Sequence, residues 1–204
     1  MQSMIILGIE TSCDETAAAV LQQKNGWIQI LSNVVASSAS LQAKYGGIIP
    51  EQAAREQIKS IIPVIEEALE QAAKICEVKS KDLAGRLDAI AVTFGPGLIG
   101  SLLVGVETAK VLASVWKKPL IPINHLIGHF YANWIYPSSL RDHEVAKQSS
   151  TSSNEIATGS SNPRNGKFFT PSFPCIGLLV SGGHTDLVLF HRPWQIQISG
   201  WNQR

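Results

Sequence analysis

Over the first thirty-five residues apolar runs alternate with short polar turns. Ile5–Glu10, Thr16–Leu21 and Trp27–Val35 read as three strands, the last two joined across Lys24-Asn25-Gly26. Asn-Gly between apolar runs is a strong short-range hairpin signal. A glycine-rich loop at Tyr45-Gly46-Gly47 then leads into a predicted helix from about Pro50 to Lys74. Ile61, Ile62, Ile65, Ala68 and Leu69 give that helix an apolar stripe. Pro50 suits a first helical position, and Pro63 is expected to kink or restart the helix. A strand at Asp88–Phe94, a Gly-Pro-Gly turn and a helix at Leu98–Trp116 follow. Pro119–Ile123 reads as a short buried strand and His125–Trp134 as a helix. This order, βββαβαβα, predicts a mixed sheet with helices packed on it.

The pattern changes at residue 137. Ser, Asn, Thr and Gly crowd residues 137–172, which cannot bury enough apolar surface to offset their ordering entropy, so this segment reads as a flexible insertion or linker. Beyond it the opening motif returns. Leu7-Gly8-Ile9-Glu10 turns through a polar loop into Thr16 and a strand, and Leu178-Leu179-Val180 turns through Ser181-Gly182-Gly183-His184 into Thr185 and a strand. A repeated opening hairpin points to a duplicated fold closing around a cleft. The expected organisation is a first subdomain at 1–136, the insertion at 137–172, and the opening strands of an incomplete second subdomain at 173–204. An uncovered apolar sheet face invites association, so either the last strands dock on the first half or the second half is missing.

Bulk properties narrow the class only a little. A domain of 204 residues hides roughly 70% of its unfolded surface. The net charge of +1 gives no basic excess of the kind that grips RNA by electrostatics alone. Cys13, Cys76 and Cys175 are odd in number and widely spaced, which fits reduced thiols better than a disulfide frame or a zinc site. The N-terminus lacks the layout of a signal peptide. The longest apolar region, Leu98–Trp116, is interrupted by Glu107 and Lys110 and falls short of a membrane span. A soluble, cytoplasmic protein is expected.

Four segments could carry chemistry. Glu10-Thr11-Ser12-Cys13-Asp14-Glu15-Thr16 gathers acids and hydroxyls in one turn, which suits a metal-bound phosphate but also a solvated, inert turn. Gly95-Pro96-Gly97-Leu98-Ile99-Gly100 is a literal G-x-G-x-x-G between strand and helix. The ribose-binding acid expected about 20 residues on is missing, since Ile121-Pro122-Ile123-Asn124 stands there. An anion at the helix N-terminus and a tight packing turn both remain open. His125 and His129 stand four apart on one helix face, a spacing that suits two ligands of a divalent metal or two ordinary helix histidines. Leu126 follows the first histidine where a zinc peptidase needs glutamate. Ser181-Gly182-Gly183-His184-Thr185 would let backbone approach a ligand closely, or serve as a plain glycine hairpin.

Together these segments resemble a known family. Ile9–Thr16, Tyr45-Gly46-Gly47-Ile48-Ile49-Pro50-Glu51, Gly95-Pro96-Gly97-Leu98 with Val104-Gly105 and Ala109-Lys110, His125-x-x-x-His129, and Leu179–Thr185 are similar, in order, to the signatures of the TsaD family. These are tRNA N6-adenosine threonylcarbamoyltransferases, formerly labelled O-sialoglycoprotein endopeptidases. The resemblance implies an α/β, actin-like and ribonuclease-H-like duplicated fold, with the first half complete and the second ending after its opening strands. It implies transfer of threonylcarbamoyl from threonylcarbamoyl-adenylate to N6 of adenosine 37 in tRNAs reading ANN codons. By similarity Asp14 and Glu15 are catalytic, Leu179, Val180, Ser181, Gly182 and Gly183 bind the adenylate substrate, and His125 and His129 hold one iron or zinc. A nucleotide with magnesium, a TsaB-type paralogue and a TsaE-type ATPase are further implied, with no membrane partner.

The chain also departs from the family pattern. Gln42 and Gln57 stand where the family usually has histidine, and Leu126-Ile127-Gly128 replaces a commoner Met-Glu-Ala or Met-Glu-Gly. The later Asp-Asp-Ala-x-Gly-Glu-Ala stretch and the third metal ligand, an aspartate, do not occur. A truncated, inactive docking module and an actin-like ATPase or sugar kinase are therefore the alternatives.

Overall fold

The structure is a computed structural model that describes residues 3–24, 27–132, 172–180, 185–192 and 195–199. Three strands open the chain: β1 (Met4–Glu10), β2 (Glu15–Lys24) and β3 (Trp27–Ser37). The turn residues Asn25 and Gly26 lie outside the described residues, but β2 and β3 pair antiparallel on either side of them. A short helix α1 (Ala39–Gln42) and a 3-10 turn lead to α2 (Pro50–Ile75). Then come α3 (Ser80–Arg86), β4 (Ala89–Gly95), α4 (Ile99–Trp116), β5 (Leu120–Asn124) and α5 (His125–Ala132).

The five strands form one sheet in the order β3-β2-β1-β4-β5. β1 pairs antiparallel with β2 and parallel with β4, and β4 pairs parallel with β5. This order, with its single reversed strand among β1, β2, β4 and β5, is the ribonuclease-H-like arrangement. Leu7, Ile9, Val20, Ile90 and Val92 form the buried face of the sheet and meet Ile61, Ile65, Ala68 and Leu69 of α2. Those α2 positions recur three and four apart, the signature of a helix laid on an apolar surface.

Helix α2 runs unbroken through Pro63, where the sequence pattern predicts a kink or restart. Pro63 and Lys59 are both exposed, so the carbonyl that loses its N–H partner faces water rather than the core. The sequence pattern does not reveal α3. Leu83 and Ala84 are its only buried residues, too few for a helical stripe.

Helix α4 is long and apolar enough to cross a membrane by length and composition alone. Here it packs through Ser101, Gly105, Ala109 and Ala113, a row of small residues spaced four apart that is buried. That row brings the helix backbone close to β1 and its following turn.

A second sheet, β6-β7-β8, is formed by β6 (Cys175–Val180), β7 (Thr185–Arg192) and β8 (Gln195–Ser199). It docks on α5 through Phe190, which stacks on Phe130 with ring centroids 3.5 Å apart. Gly177 of β6 lies under the same two rings. Ile176, Leu178 and Leu187 stay exposed on this sheet. The strands thus dock on the first half, and apolar side chains of the sheet remain uncovered. Residues 133–171, which include most of the Ser-rich segment, and the 181–184 turn lie outside the described residues.

Candidate functional site

The parallel strands β1, β4 and β5 end side by side, and their carboxyl ends carry the polar residues. Open α/β sheets bind ligands at such strand ends. Glu10 closes β1, Thr93 lies near the end of β4, and Asn124 closes β5. Asn124 stands in the region where a dinucleotide fold would present its ribose-binding acid. Its Oδ1 instead accepts the Leu126 and Ile127 N–H groups at 2.9 and 3.3 Å. It therefore caps α5 and sets the direction in which the histidines project.

The two imidazoles meet. His129 Nε2 lies 3.1 Å from His125 Nε2, with the rings edge to face at 86°. Two nitrogen ligands roughly 2.0–2.1 Å from one tetrahedral ion stand about 3.3 Å apart. The observed pair therefore fits a shared ion with little movement. Partial desolvation, reinforced by the neighbouring His125, pushes the pKa of the largely exposed His129 down, which favours the neutral ring that a metal requires. Among the described residues no group of three or more His, Cys, Asp or Glu side chains makes a complete metal cage.

Behind His125 stands Glu10, which the sequence reasoning did not single out. Its Oε2 lies 3.3 Å from His125 Nδ1 and accepts the Thr93 hydroxyl, while its Oε1 accepts the Ser12 N–H. Burial alone would raise the Glu10 pKa, yet the hydrogen bonds from His125, Ser12 and Thr93 outweigh it and hold the group at about 2. The sequence placed it only within the acid-rich Glu10–Thr16 segment; the further cue was that Glu10 ends an apolar strand, where a carboxylate needs a partner.

Asp14 and Glu15 lie on the other side of the same turn. Asp14 is half-buried and lines a pocket of about 190 Å³ with Thr16, Ser37, Ser38, Ser60 and Gln57, while Glu15 is exposed. Ser38 donates its hydroxyl and its N–H to the Asp14 carbonyl at 2.8 and 3.3 Å. Burial, then the adjacent Asp14, pushes the Cys13 thiol up, away from a thiolate nucleophile.

The turn itself is held by side chains from two helices. Gln57 of α2 is 1% exposed and aims Nε2 at the carbonyls of Thr11, Cys13 and Glu15, at 3.4, 3.1 and 2.9 Å. From α4, Ser101 donates to the Cys13 carbonyl at 2.8 Å and accepts the Thr11 hydroxyl on its own carbonyl at 2.8 Å. The Leu98 N–H meets the Ser12 carbonyl at 2.7 Å. Gly97 lies against Ser12 and Gly105 against Thr11, so closely that a Cβ at either would overlap them. Within the Gly95–Gly100 turn, Gly97 therefore serves close packing of the Glu10–Thr16 turn, while Gly100 packs on Ala54 of α2 and Gly95 takes a positive φ of 152°. The first donor of the Gly95–Gly100 turn faces a protein carbonyl rather than a phosphate. Gln42 braces the neighbouring loop in a similar way, accepting the Ile49 N–H at 2.9 Å.

Of the proposed substrate-binding residues, Leu179 and Val180 end β6, paired with Asp186 and Thr185 of β7. Ser181, Gly182 and Gly183 lie outside the described residues.

Fold and site together define an α/β domain of the ribonuclease-H-like, actin-related class, with a paired-imidazole centre at the carboxyl ends of its parallel strands. The family profile described as TsaD, tRNA N6-adenosine threonylcarbamoyltransferase, matches residues 29–145. A protein of that name from Thermomicrobium roseum is 47% identical over 186 residues, which is 91% of this chain and 41% of that protein. Another, from Dehalococcoides mccartyi, is 42% identical over 197 residues, covering 97% of this chain and 48% of the relative. The chain belongs to the TsaD family and spans somewhat under half the length of these relatives. Among solved structures, YeaZ from Pseudomonas aeruginosa aligns over 65% of this chain and 48% of its own, at 16% identity and a TM-score of 0.43.

Proposed function

We propose that this chain carries the opening half of a transferase active site for tRNA threonylcarbamoyladenosine biosynthesis, in the cytoplasm. The supporting observation is the convergence of His125 and His129 on one point at the carboxyl ends of the parallel strands, 3.1 Å apart. In this reading, which family membership supports, threonylcarbamoyl passes from threonylcarbamoyl-adenylate to N6 of adenosine 37 in tRNAs reading ANN codons.

His125 and His129 would hold one iron or zinc ion through Nε2. When bound, such an ion supplies Lewis acidity at a carbonyl oxygen. The remaining work falls to the chain itself. Gln57, Ser101 and Leu98 fix the Glu10–Thr16 turn from two helices, so its acids keep their positions without reorganising when substrate arrives. Asp14 faces a hydroxyl-rich pocket that suits a polar substrate group. In this reading Asp14 and Glu15 act on the substrate, and Leu179–Gly183 line the adenylate. TsaB-type and TsaE-type partners complete the assembly, and a nucleotide with magnesium accompanies them.

The test is transfer of labelled threonine to tRNA by this chain with those partners, adenylate substrate and zinc or iron. Transfer lost in His125→Ala and His129→Ala supports the reading. A folded, metal-loaded chain that transfers nothing would sink the enzymatic reading and leave a docking module.

A further inference from the structure

We propose that Glu10 is a positioning residue that keeps the proton of His125 on Nδ1, leaving the Nε2 lone pair turned toward the point shared with His129. The argument is one of donors and acceptors. The Ser12 backbone N–H can only donate, and it occupies Glu10 Oε1. The Thr93 hydroxyl donates to Oε2. An ionised carboxylate is acceptor-only, so its contact with His125 Nδ1, at 3.3 Å, requires that ring nitrogen to be the donor. The contact is long for a charge-assisted bond, so it fixes the ring's tautomer more than it adds stability. With the proton on Nδ1, Nε2 has a lone pair, and it lies 3.1 Å from His129 Nε2. A carboxylate, an imidazole and an ion in line is a recurrent arrangement in metal sites, in which the outer group fixes the ring's tautomer and orientation. No sequence spacing announces it here, because Glu10 ends β1 and His125 follows β5, on either side of β4.

The geometry makes a sharp prediction for Glu10→Gln. The Ser12 N–H demands an oxygen at the Oε1 position, so the carboxamide NH2 must take the Oε2 position. There it donates to His125 Nδ1 and drives the ring proton to Nε2, where it blocks a ligand. A near-isosteric change should therefore invert the tautomer.

The functional consequence rests on reading His125 and His129 as metal ligands, but the tautomer does not. The experiment is long-range 1H–15N NMR of the imidazole rings in the 15N-labelled chain without metal. It is run at pH 8, above the ordinary imidazole pKa, with His125→Ala identifying the signals. The expected wild-type spectrum has His125 protonated on Nδ1, and E10Q moves the proton to Nε2. Protonation on Nε2 in the wild type overturns the proposal even if E10Q does not fold. So does a folded E10Q that keeps the proton on Nδ1. Titration with cobalt(II), read by its visible absorption, gives the second readout, with E10Q expected to bind about 10–100-fold more weakly. Equal affinity despite an inverted tautomer overturns the positioning role toward a metal. If the wild type takes up no cobalt while its tautomer is as expected, the metal reading fails and Glu10's control of the ring stands.

Discussion

The Glu10–Thr16 turn has two ends, and its acids lie in contrasting surroundings. Glu10 receives three donors from three separate segments, namely Ser12 in the turn, Thr93 in β4 and His125 in α5. The Asp14 end is held through its backbone, with Ser38 donating to the Asp14 carbonyl, and the residue lines a pocket shared with several hydroxyls and Glu56. One acid is held through its own carboxylate, the other sits half-buried on a fixed backbone. The first arrangement suits orienting another residue, the second suits meeting a substrate.

The contrast depends on the turn's rigidity, so the change expected to disrupt it most is Gln57→Leu. It strips the donor from the Thr11, Cys13 and Glu15 carbonyls at once. The Cys13 carbonyl keeps the Ser101 hydroxyl, so the cost falls on the Thr11 and Glu15 carbonyls, at roughly 1–3 kcal/mol for each left buried and unpaired. Gln57 Oε1 is itself buried without a partner, and its removal offsets part of the loss. Urea unfolding should show a net destabilisation of about 3 kcal/mol.

Gly97→Ala comes next. Its Cβ would meet the Ser12 backbone, which cannot move without shifting the turn. Overpacking of this kind costs about 1–3 kcal/mol, measurable in the same unfolding assay. Gly105→Ala, opposed by the Thr11 side chain, should fall at the lower end of that range.

The pH dependence of stability probes the Glu10 end. Glu10 has its folded pKa depressed to about 2 from the ordinary 4.5. The folded state therefore binds the proton less readily than the unfolded chain. Its stabilising contribution is fully present above pH 4.5 and is lost as pH falls toward 2. Because Glu10 keeps 35% side-chain exposure, solvent screening reduces the amount. Unfolding of metal-free chain between about pH 5 and pH 2 should show a loss of stability that Thr93→Val makes smaller. An unchanged slope in that variant would count against the network.

The smallest expected effect on stability is at the open end. Asp14→Asn, at a half-buried position held through its backbone carbonyl, should change unfolding free energy by less than about 1 kcal/mol. The same change should abolish labelled-threonine transfer if Asp14 acts on substrate.

Much of this was legible beforehand in the chain itself. The alternation of apolar and polar positions located the strands and the α2 stripe, since burial of one face imposes its period on the residues. The i,i+4 histidines were legible for the same reason, because helical geometry fixes which side chains are neighbours. Two local expectations needed the fold. Pro63 was tolerated mid-helix because it faces water, and α3 carried too little apolar surface to mark itself.

What no local pattern could supply is which distant groups meet. Gln57 lies 42 residues beyond Glu15, and His125 lies 115 beyond Glu10. Their contacts exist because β1, β4 and β5 end together and α2 and α4 pack beside them. Only the tertiary structure decided that Gly97 serves packing against Ser12, since a glycine turn looks the same in sequence whether an anion or a neighbouring backbone fills the space. The sequence determined the elements and the residue types that carry chemistry. The packing determined their partners, because hydrogen bonds across a fold depend on strand order and helix approach, and neither is encoded in any single window of the chain.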